Sequence, residues 1–277
     1  MLKEITVKGL FGRFNYRVPL CGGDVTVLTG PNGFGKSTLF SLVAAVANRD
    51  RKVLFSMPAR EFSLAFSDGE EFTFAKAADG GITENGQTVT VDGGITATEE
   101  RVAVCLGAVK RAGGDRFTAA MLDGEDKLRE YAAKLRAIPA LVGTAYNSGG
   151  KEKNKAELLI ELLSDKFTFK APVIAGDGLE FIDESGEKTA FTALSAGEIR
   201  LTEFYADLLF GTPDGALLLI DEPEISMHIA WQFALVDDVE EICRLLGGAR
   251  AIIATHSPQI LGGHRDIQVD LGEQYGE

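Results

Sequence analysis

A glycine-rich segment at residues 30–37, GPNGFGKS, constrains the fold of this chain more than any other feature. It fits the pattern G-x-x-x-x-G-K-[ST]. An apolar run precedes it at residues 25–29, and residues 37–48 follow with apolar side chains at helical spacing. In this order of strand, loop and helix, backbone N–H groups and the positive end of the helix surround phosphate oxygens. The sequence therefore predicts an α/β fold with a phosphate-binding loop.

Three side chains at the end of this phosphate loop (residues 30–37) and just after it are candidates for nucleotide chemistry. Lys36 is expected to place its charge beside the β- and γ-phosphate oxygens, and Ser37 to place its hydroxyl on Mg²⁺. Thr38 either contacts the α-phosphate or is an ordinary residue of the first helical turn, and both readings stay open.

A second segment, LLLIDEPE at residues 217–224, places two carboxylates at the end of an apolar strand, where α/β folds bind ligands. Asp221 is expected to hold the magnesium ion, and Glu222 to orient and deprotonate the attacking water. Glu224 is expected to be an exposed acid of the following turn, without a chemical role.

Two further segments have a structural and a functional interpretation. The signature segment LSAGE, residues 194–198, begins a predicted helix that runs to Phe210, and alone it fits an N-cap serine with a capping box. His256 follows an apolar strand at residues 251–254, and a histidine at the carboxyl end of such a strand could reach a γ-phosphate.

The rest of the chain predicts antiparallel strands followed by helices. Alternating apolar residues indicate a hairpin near the N-terminus and further hairpins between residues 53 and 91, with the best turn at Asn85-Gly86. Helices are expected at residues 122–138, 151–164 and 229–246, with a polar loop at 147–150 and short strands at 167–173 and 179–182.

Composition and charge exclude several classes of protein. The chain has 277 residues with 45% apolar and 25% charged residues, and no apolar run approaches the roughly 20 residues of a membrane span. Charges in MLKEITVKGL argue against a signal peptide, so a cytoplasmic protein without membrane contact is expected. Three cysteines without CxxC spacing, Cys21, Cys105 and Cys243, are expected to be core residues.

The negative charge is concentrated at the C-terminal end. The whole chain has a net charge of −13, and residues 198–277 contribute −11 of it, with 15 acidic and 4 basic residues. This excess of negative charge argues against nucleic-acid binding by this lobe. Elsewhere a local basic face could bind nucleic acid or a partner, or could simply be a solvated helix surface. Its candidate residues are Lys110, Arg111, Arg116, Lys151, Lys153 and Lys155.

The set GPNGFGKST, LSAGE, LLLIDEPE and ATHS, in this order, resembles the motifs of ABC-type ATPases, specifically the soluble branch with RecF, SMC-like and OLD-like proteins. The stretch DEPEISMHIAWQ resembles a segment of small AAA-labelled ATPases of bacterial anti-phage modules. The resemblance covers about residues 1–50 and 190–262. It implies one ABC-type ATPase head: an N-terminal β lobe (1–110) with antiparallel strands, a mostly helical insert (111–190) and a final lobe (191–277) that shares the parallel-sheet core.

This resemblance also implies Mg²⁺-dependent ATP binding and hydrolysis in a head-to-tail dimer or higher homo-oligomer. It assigns the γ-phosphate sensor to His256 and the metal shell and base to Asp221 and Glu222. Ser195 and Gly197 match the loop that reaches the partner's γ-phosphate, although Ala196 stands where the family has glycine. It assigns the binding of the ATP phosphates to the residues Asn32, Gly33, Phe34, Gly35, Lys36, Ser37 and Thr38.

Such heads control other proteins, so a separate effector, a nuclease or toxin in anti-phage defence or DNA maintenance, is the expected partner. Only 21 residues follow His256, and the insert has no residue spacing typical of a nuclease metal site. One alternative is a nucleotide-binding subunit of a membrane transporter, although the spacing of 159 positions from Lys36 to Ser195 is longer than such subunits usually have. A small-molecule kinase is another, but it would leave LSAGE and ATHS unexplained.

Overall fold

A computed structural model describes residues 1–20, 22–77, 81–90, 109–113, 125–176, 178–225 and 227–275, with only the backbone at 109–113 and 125–128. The strands of this part are β1 (Leu2–Leu10), β2 (Phe14–Pro19), β3 (Val25–Thr29), β4 (Glu61–Phe66), β5 (Glu71–Lys76), β6 (Ile82–Glu84), β7 (Gln87–Val89), β8 (Val109–Gly113), β9 (Lys170–Ala175), β10 (Gly178–Asp183), β11 (Lys188–Thr189), β12 (Leu217–Asp221), β13 (Arg250–Ala254) and β14 (Gln268–Asp270). The helices are α1 (Lys36–Asn48), α2 (Arg51–Phe55), α3 (Glu125–Ser148), α4 (Gly150–Ser164), α5 (Ala196–Phe210), α6 (Ile229–Gln232), α7 (Leu235–Leu245) and α8 (Pro258–Leu261).

A five-stranded sheet with the order β14-β3-β13-β12-β8 forms the centre of the protein, and every neighbouring pair in it is parallel. Successive side chains of a strand point to opposite faces, so each central strand contributes to two cores. On β12, Leu218 and Ile220 pack with α5 and α7, whereas Leu217 and Leu219 pack with α1 and the N-terminal strands. The unbroken apolar run of β12 follows from this double burial.

The N-terminal strands form an antiparallel sheet with the order β2-β1-β4-β5-β6-β7. The predicted hairpins are confirmed, and Asn85 and Gly86 both have a positive φ, as a tight two-residue turn requires. The short helix α2 differs from the sequence prediction, which gives only strands over residues 53–91. Asp50 caps this helix by accepting a hydrogen bond from the Val53 N–H.

The insert consists, where it is described, of α3, α4 and the antiparallel sheet β11-β10-β9. The predicted polar loop at 147–150 shrinks to one residue outside the helices, Gly149, whose φ of 73° turns the chain. The insert contacts the helix that follows the signature segment: the Tyr131 hydroxyl donates to Glu203 (2.8 Å), and the Lys134 ammonium lies 2.8 Å from Asp207. Helix α5 is therefore tied to the insert by polar contacts.

Several elements differ from the sequence prediction. The single helix expected at 229–246 is two helices, α6 and α7, separated by a turn at residues 233–234. Strands β8 and β14, at the two edges of the parallel sheet, were not predicted. The division into three lobes stays a prediction; β8 spans its first boundary and pairs with β12 of the final lobe.

Two other expectations concern the cysteines and the membrane. Cys243 is buried, as expected of a core residue, and it is a free cysteine; burial raises the pKa of its thiol to about 12. Cys21 and Cys105 lie outside the described residues. No helix in the described part has the length and apolar character needed to cross a bilayer.

The structure describes the side chains of only three of the six residues of the candidate basic face. Lys110 and Arg111 lie in β8, described by backbone alone, and Arg116 falls outside the described residues. The three insert lysines all lie beside carboxylates: Lys151 at 2.5 Å from Asp214, Lys153 at 3.4 Å from Glu157 and Lys155 at 2.9 Å from Glu152. Lys155 is buried, so it is not part of an exposed basic face.

Candidate active site

The phosphate loop connects β3 to α1 at the edge of the sheet where the parallel strands end. Gly33 and Gly35 have φ values of 82° and 87°, and a Cβ at Gly35 would lie 2.5 Å from Leu10 Cδ2. Helix α1 has no side-chain cap at its N-terminus and no acidic residue in its first turn. The positive end of this helix therefore suits an anion such as a phosphate group.

Lys36 is held inside this loop, with 5% of its surface exposed. Its ammonium donates to the carbonyl oxygens of Gly30 (2.6 Å) and Pro31 (3.3 Å) and lies 3.2 Å from His256 Nδ1. Burial lowers the pKa of Lys36, against the opposing effect of nearby carboxylates, chiefly Glu222. A poorly hydrated ammonium held by neutral acceptors is suited to bind phosphate oxygens.

The two candidate magnesium ligands are adjacent: the Ser37 hydroxyl donates to Asp221 Oδ1 at 3.1 Å. The described residues include no group of three His, Cys, Asp or Glu side chains placed to hold a metal ion. Mg²⁺ commonly takes one or two protein ligands and completes its shell with phosphate oxygens and water. Ser37 and Asp221 fit that donor set, which leaves positions for phosphate oxygens and water.

Glu222 adopts a backbone conformation that non-glycine residues rarely adopt, with φ at 47°. Such a conformation costs about 1–2 kcal/mol, and strained residues cluster at functional sites. Its N–H donates to the Ala254 carbonyl (2.8 Å), so the neighbouring strand β13 holds the strained residue in place. The conformation turns the chain directly after the buried strand at the position expected to supply the base.

The His256 ring lies between the phosphate loop and the candidate base. Its Nδ1 is 3.2 Å from the Lys36 ammonium, and its Nε2 is 3.2 Å from Glu222 Oε1. Because a protonated lysine can only donate, Nδ1 acts as the acceptor; Nε2 then carries the proton and donates it to Glu222. The tautomer is inferred from these partners. His256 thus connects the predicted phosphate ligand to the predicted base.

The expectation that Glu224 is an exposed acid is wrong, although the residue does lie in the turn after β12. The residue is half-buried, and its Oε1 accepts a hydrogen bond from the His256 backbone N–H at 2.8 Å. The only signal in the sequence is a second acid two positions after Glu222, which does not show where its side chain points.

An aromatic cluster beside the phosphate loop was also not predicted. The ring of Phe34 lies 5.0 Å from that of Phe14 on β2 and 5.8 Å from that of Tyr275. Next to Tyr275, the amide side chain of Gln274 makes two hydrogen bonds to the backbone of Arg17. The C-terminal segment therefore fastens the phosphate loop to the N-terminal sheet. If Phe34 contacts phosphate as predicted, its backbone N–H makes the contact, because its ring packs against Phe14 and Tyr275.

The signature segment has the geometry of a helix cap. Ser195 and Glu198 form a complete capping box, and none of the hydrogen bonds of Ser195 within the described chain reaches the phosphate loop. Burial alone would raise the pKa of Glu198, but hydrogen bonds from Ser195 and Lys170 outweigh burial and lower it. Lys170, on β9 of the insert, lies 3.0 Å from Glu198. In the part of the chain that the structure describes, Gly197, like Asn32, Gly33 and Thr38, makes no contact that assigns it a role.

Residues 108–262, more than half of the chain, match the family described as "AAA domain, putative AbiEii toxin, Type IV TA system". The fold is similar to the SMC head domain from Thermotoga maritima, with a TM-score of 0.55 and 17% identity. It is also similar to an SMC head bound to the C-winged helix domain of ScpA, with a TM-score of 0.52 and 17% identity. Each similarity covers 94% of this chain and 90% of the other. No curated protein sequence matches this chain.

Proposed function

The chain belongs to this family of AAA domains and has the predicted fold of an ABC-type ATPase head, and on this premise we propose that it binds and hydrolyses ATP with Mg²⁺. One observation carries the proposal: Lys36, Ser37, Asp221, Glu222 and His256 meet where the parallel strands β3, β12 and β13 end. Open α/β sheets bind their ligands at this edge. The residues correspond to a phosphate ligand, two metal ligands, a base and a γ-phosphate sensor.

The direct test is to titrate the purified chain with ATP, ADP and AMP in the presence and absence of Mg²⁺, and to follow phosphate release. We expect ATP to bind more tightly than AMP, because the phosphate loop would bind the β- and γ-phosphates that AMP lacks. Equal affinity for AMP would contradict the assignment of this site. The family description refers to a toxin system and not to transport, which supports this function over a transporter subunit.

We further propose that two copies form a head-to-tail dimer in which Ser195 and Gly197 complete the active site of the partner. The support is twofold. The signature segment begins helix α5, whose N-terminus can bind an anion, and its hydrogen bonds do not reach the phosphate loop of its own chain within the described residues. If the segment has the catalytic role that its resemblance implies, it acts on the phosphate loop of another copy, because its hydrogen bonds do not reach its own.

Ser195→Arg is expected to leave ATP binding to one subunit intact and to block turnover, because a bulky cation would fill the space of the partner's γ-phosphate. Replacement of Gly197 by tryptophan should act in the same way. The measurements are ATP titration and steady-state phosphate release. Ser148→Arg, which adds the same side chain at the exposed end of α3, is the matched control.

A mixing experiment separates a dimeric site from simple loss of the helix cap. Lys36→Ala and Ser195→Arg chains, each inactive alone, should regain turnover when mixed, because one intact composite site forms in the mixed dimer. Unchanged turnover of Ser195→Arg alone would reduce the segment to an ordinary cap. Absence of rescue with both chains folded would contradict the head-to-tail arrangement.

The output is proposed to pass through a separate effector, a nuclease or toxin, in anti-phage defence or DNA maintenance. The family description includes a toxin system, and one similar head is bound to a domain of another protein, ScpA. The insert offers a route for coupling, since Lys170 contacts Glu198 of the capping box and Tyr131 contacts Glu203 on α5. Movement of α5 on dimer closure would therefore move the insert.

The purified chain alone, with ATP and Mg²⁺ or Mn²⁺, is expected to leave plasmid and linear DNA uncut. Agarose electrophoresis over a time course is the measurement, with the Glu222→Gln chain purified in parallel. Cleavage that persists through purification and disappears in that variant would place the nuclease in this chain and refute the separate effector.

A further inference from the structure

We propose that Glu224 is a positioning residue that fixes the loop carrying His256 and thereby aims the imidazole at the γ-phosphate. The inference rests on the proposed ATPase function and adds a residue to its machinery. Glu224 acts through His256 and is not assigned a contact with the nucleotide. The hydrogen bond from the His256 N–H to Glu224 Oε1, at 2.8 Å, is the starting observation.

Among the described residues, three polar contacts hold His256, and they differ in what ATP would do to them. The two ring contacts go to Lys36 and Glu222, at 3.2 Å each. The proposed function requires both of those side chains to turn to the phosphate and the attacking water. The backbone contact with Glu224 involves no group that the nucleotide would use. It is therefore the contact that can keep the histidine in place while the ring changes partners.

The local fold explains why Glu224 reaches His256. Strands β12 and β13 are parallel neighbours in which Asp221 pairs with Ala254, so the residues just beyond these two ends lie side by side. The turn after β12 is closed by hydrogen bonds from the Ile225 N–H to the Glu222 carbonyl (3.3 Å) and from the Met227 N–H to the Glu224 carbonyl (2.9 Å). The carboxylate of Glu224 is thus directed across to the neighbouring loop.

The environment of the carboxylate strengthens this contact. Glu224 Oε2 is buried and has no hydrogen-bond partner in the part of the chain that is described. A side-chain carbonyl or carboxylate oxygen that replaces water for a backbone N–H in a poorly solvated site is the only acceptor that the N–H can use there. Loss of Glu224 should therefore release the His256 amide and alter the position of the ring.

The expected signature is a change in turnover with little change in binding, because the phosphate loop would still hold ATP. In Glu224→Ala, kcat for ATP should fall by about 10²-fold, the scale reported for a small misplacement of a catalytic group. Glu224→Gln retains a carbonyl oxygen that can accept the His256 N–H and should restore turnover to near the wild-type level. The ATP affinity of both variants should stay close to that of the wild type. Glu273→Ala, which removes an exposed acid from the cavity beside the histidine, is the matched control.

A spectroscopic readout makes the test independent of turnover. The chain has three histidines, so the ring signals of His256 can be separated from those of His228 and His264 by NMR. We expect the His256 signals to shift in Glu224→Ala, to return in Glu224→Gln and to be unaffected in Glu273→Ala. If the alanine variant does not fold, Glu224→Asp, which keeps the charge but shortens its reach, takes its place with the same expected loss.

The outcomes separate this inference from the proposed function. A wild-type chain that neither binds nor hydrolyses ATP would refute the function, while the NMR comparison would still report on the position of His256. An active wild type with an equally active Glu224→Ala and unshifted His256 signals would overturn the positioning role. A Glu224→Gln variant as impaired as Glu224→Ala would also overturn it, because the acceptor would then not be what matters.

Discussion

Lys36→Ala is expected to abolish measurable ATP binding. The wild-type ammonium is buried in the phosphate loop, where carbonyl oxygens at 2.6 and 3.3 Å hold it in place. Hydrogen bonds from a charged donor to phosphate are among the strongest in proteins, and alanine leaves the β- and γ-phosphates beside the carboxylates of Asp221 and Glu222 without this cation. Calorimetric titration with ATP and Mg²⁺ is the measurement.

Two further variants make the result specific. Lys36→Met keeps the aliphatic packing and removes the ammonium, with its charge and its hydrogen-bond donors, so it should lose ATP binding in the same way. Lys8→Ala removes an exposed lysine that pairs with Glu61 on the N-terminal sheet, and it should bind ATP as the wild type does. ATP binding by a folded Lys36→Met chain at wild-type affinity would show that the phosphate loop has been misassigned.

The strands and helices around the site could be predicted from the sequence because each of them has one pattern of side-chain burial along its whole length. The unbroken apolar run of β12 reflects burial on both faces of the sheet, and the spacing in α1 reflects burial on one face. Both periodicities extend over several residues. The positions of Lys36, Ser37 and Asp221 then follow, because parallel strands end at the same edge of a sheet.

The features that could not be predicted depend on contacts between distant residues. Glu224 contacts His256, 32 positions later, and Gln274 contacts Arg17, 257 positions earlier. The positive φ of Glu222 could not be predicted from its residue type, because glutamate does not favour this conformation. Strand β14 has three residues, too few for an alternation pattern to distinguish from a loop. Tertiary pairing, and not local preference, fixes each of these features.

Glu222→Gln is expected to retain ATP binding and to lose hydrolysis. The amide has nearly the shape of the carboxylate, so it tolerates the same backbone conformation and still offers an acceptor to His256 Nε2. It cannot take a proton from water. Loss of a general base commonly lowers the rate by about 10²- to 10⁴-fold, which single-turnover phosphate release would measure.

The same substitution provides the sharpest test of the dimer. If ATP holds two heads together until it is hydrolysed, a head that binds ATP without hydrolysing it should accumulate as the ATP-loaded dimer. Sedimentation velocity of Glu222→Gln with ATP and Mg²⁺ should then show a species of twice the chain mass, absent with ADP and absent in Glu222→Gln combined with Ser195→Arg. Glu273→Gln makes the same change of charge at an exposed position and is the control. That chain should hydrolyse ATP normally and show no such species. A Glu222→Gln chain that binds ATP but stays monomeric at micromolar concentration would refute the head-to-tail dimer and would leave Ser195 as a helix cap alone.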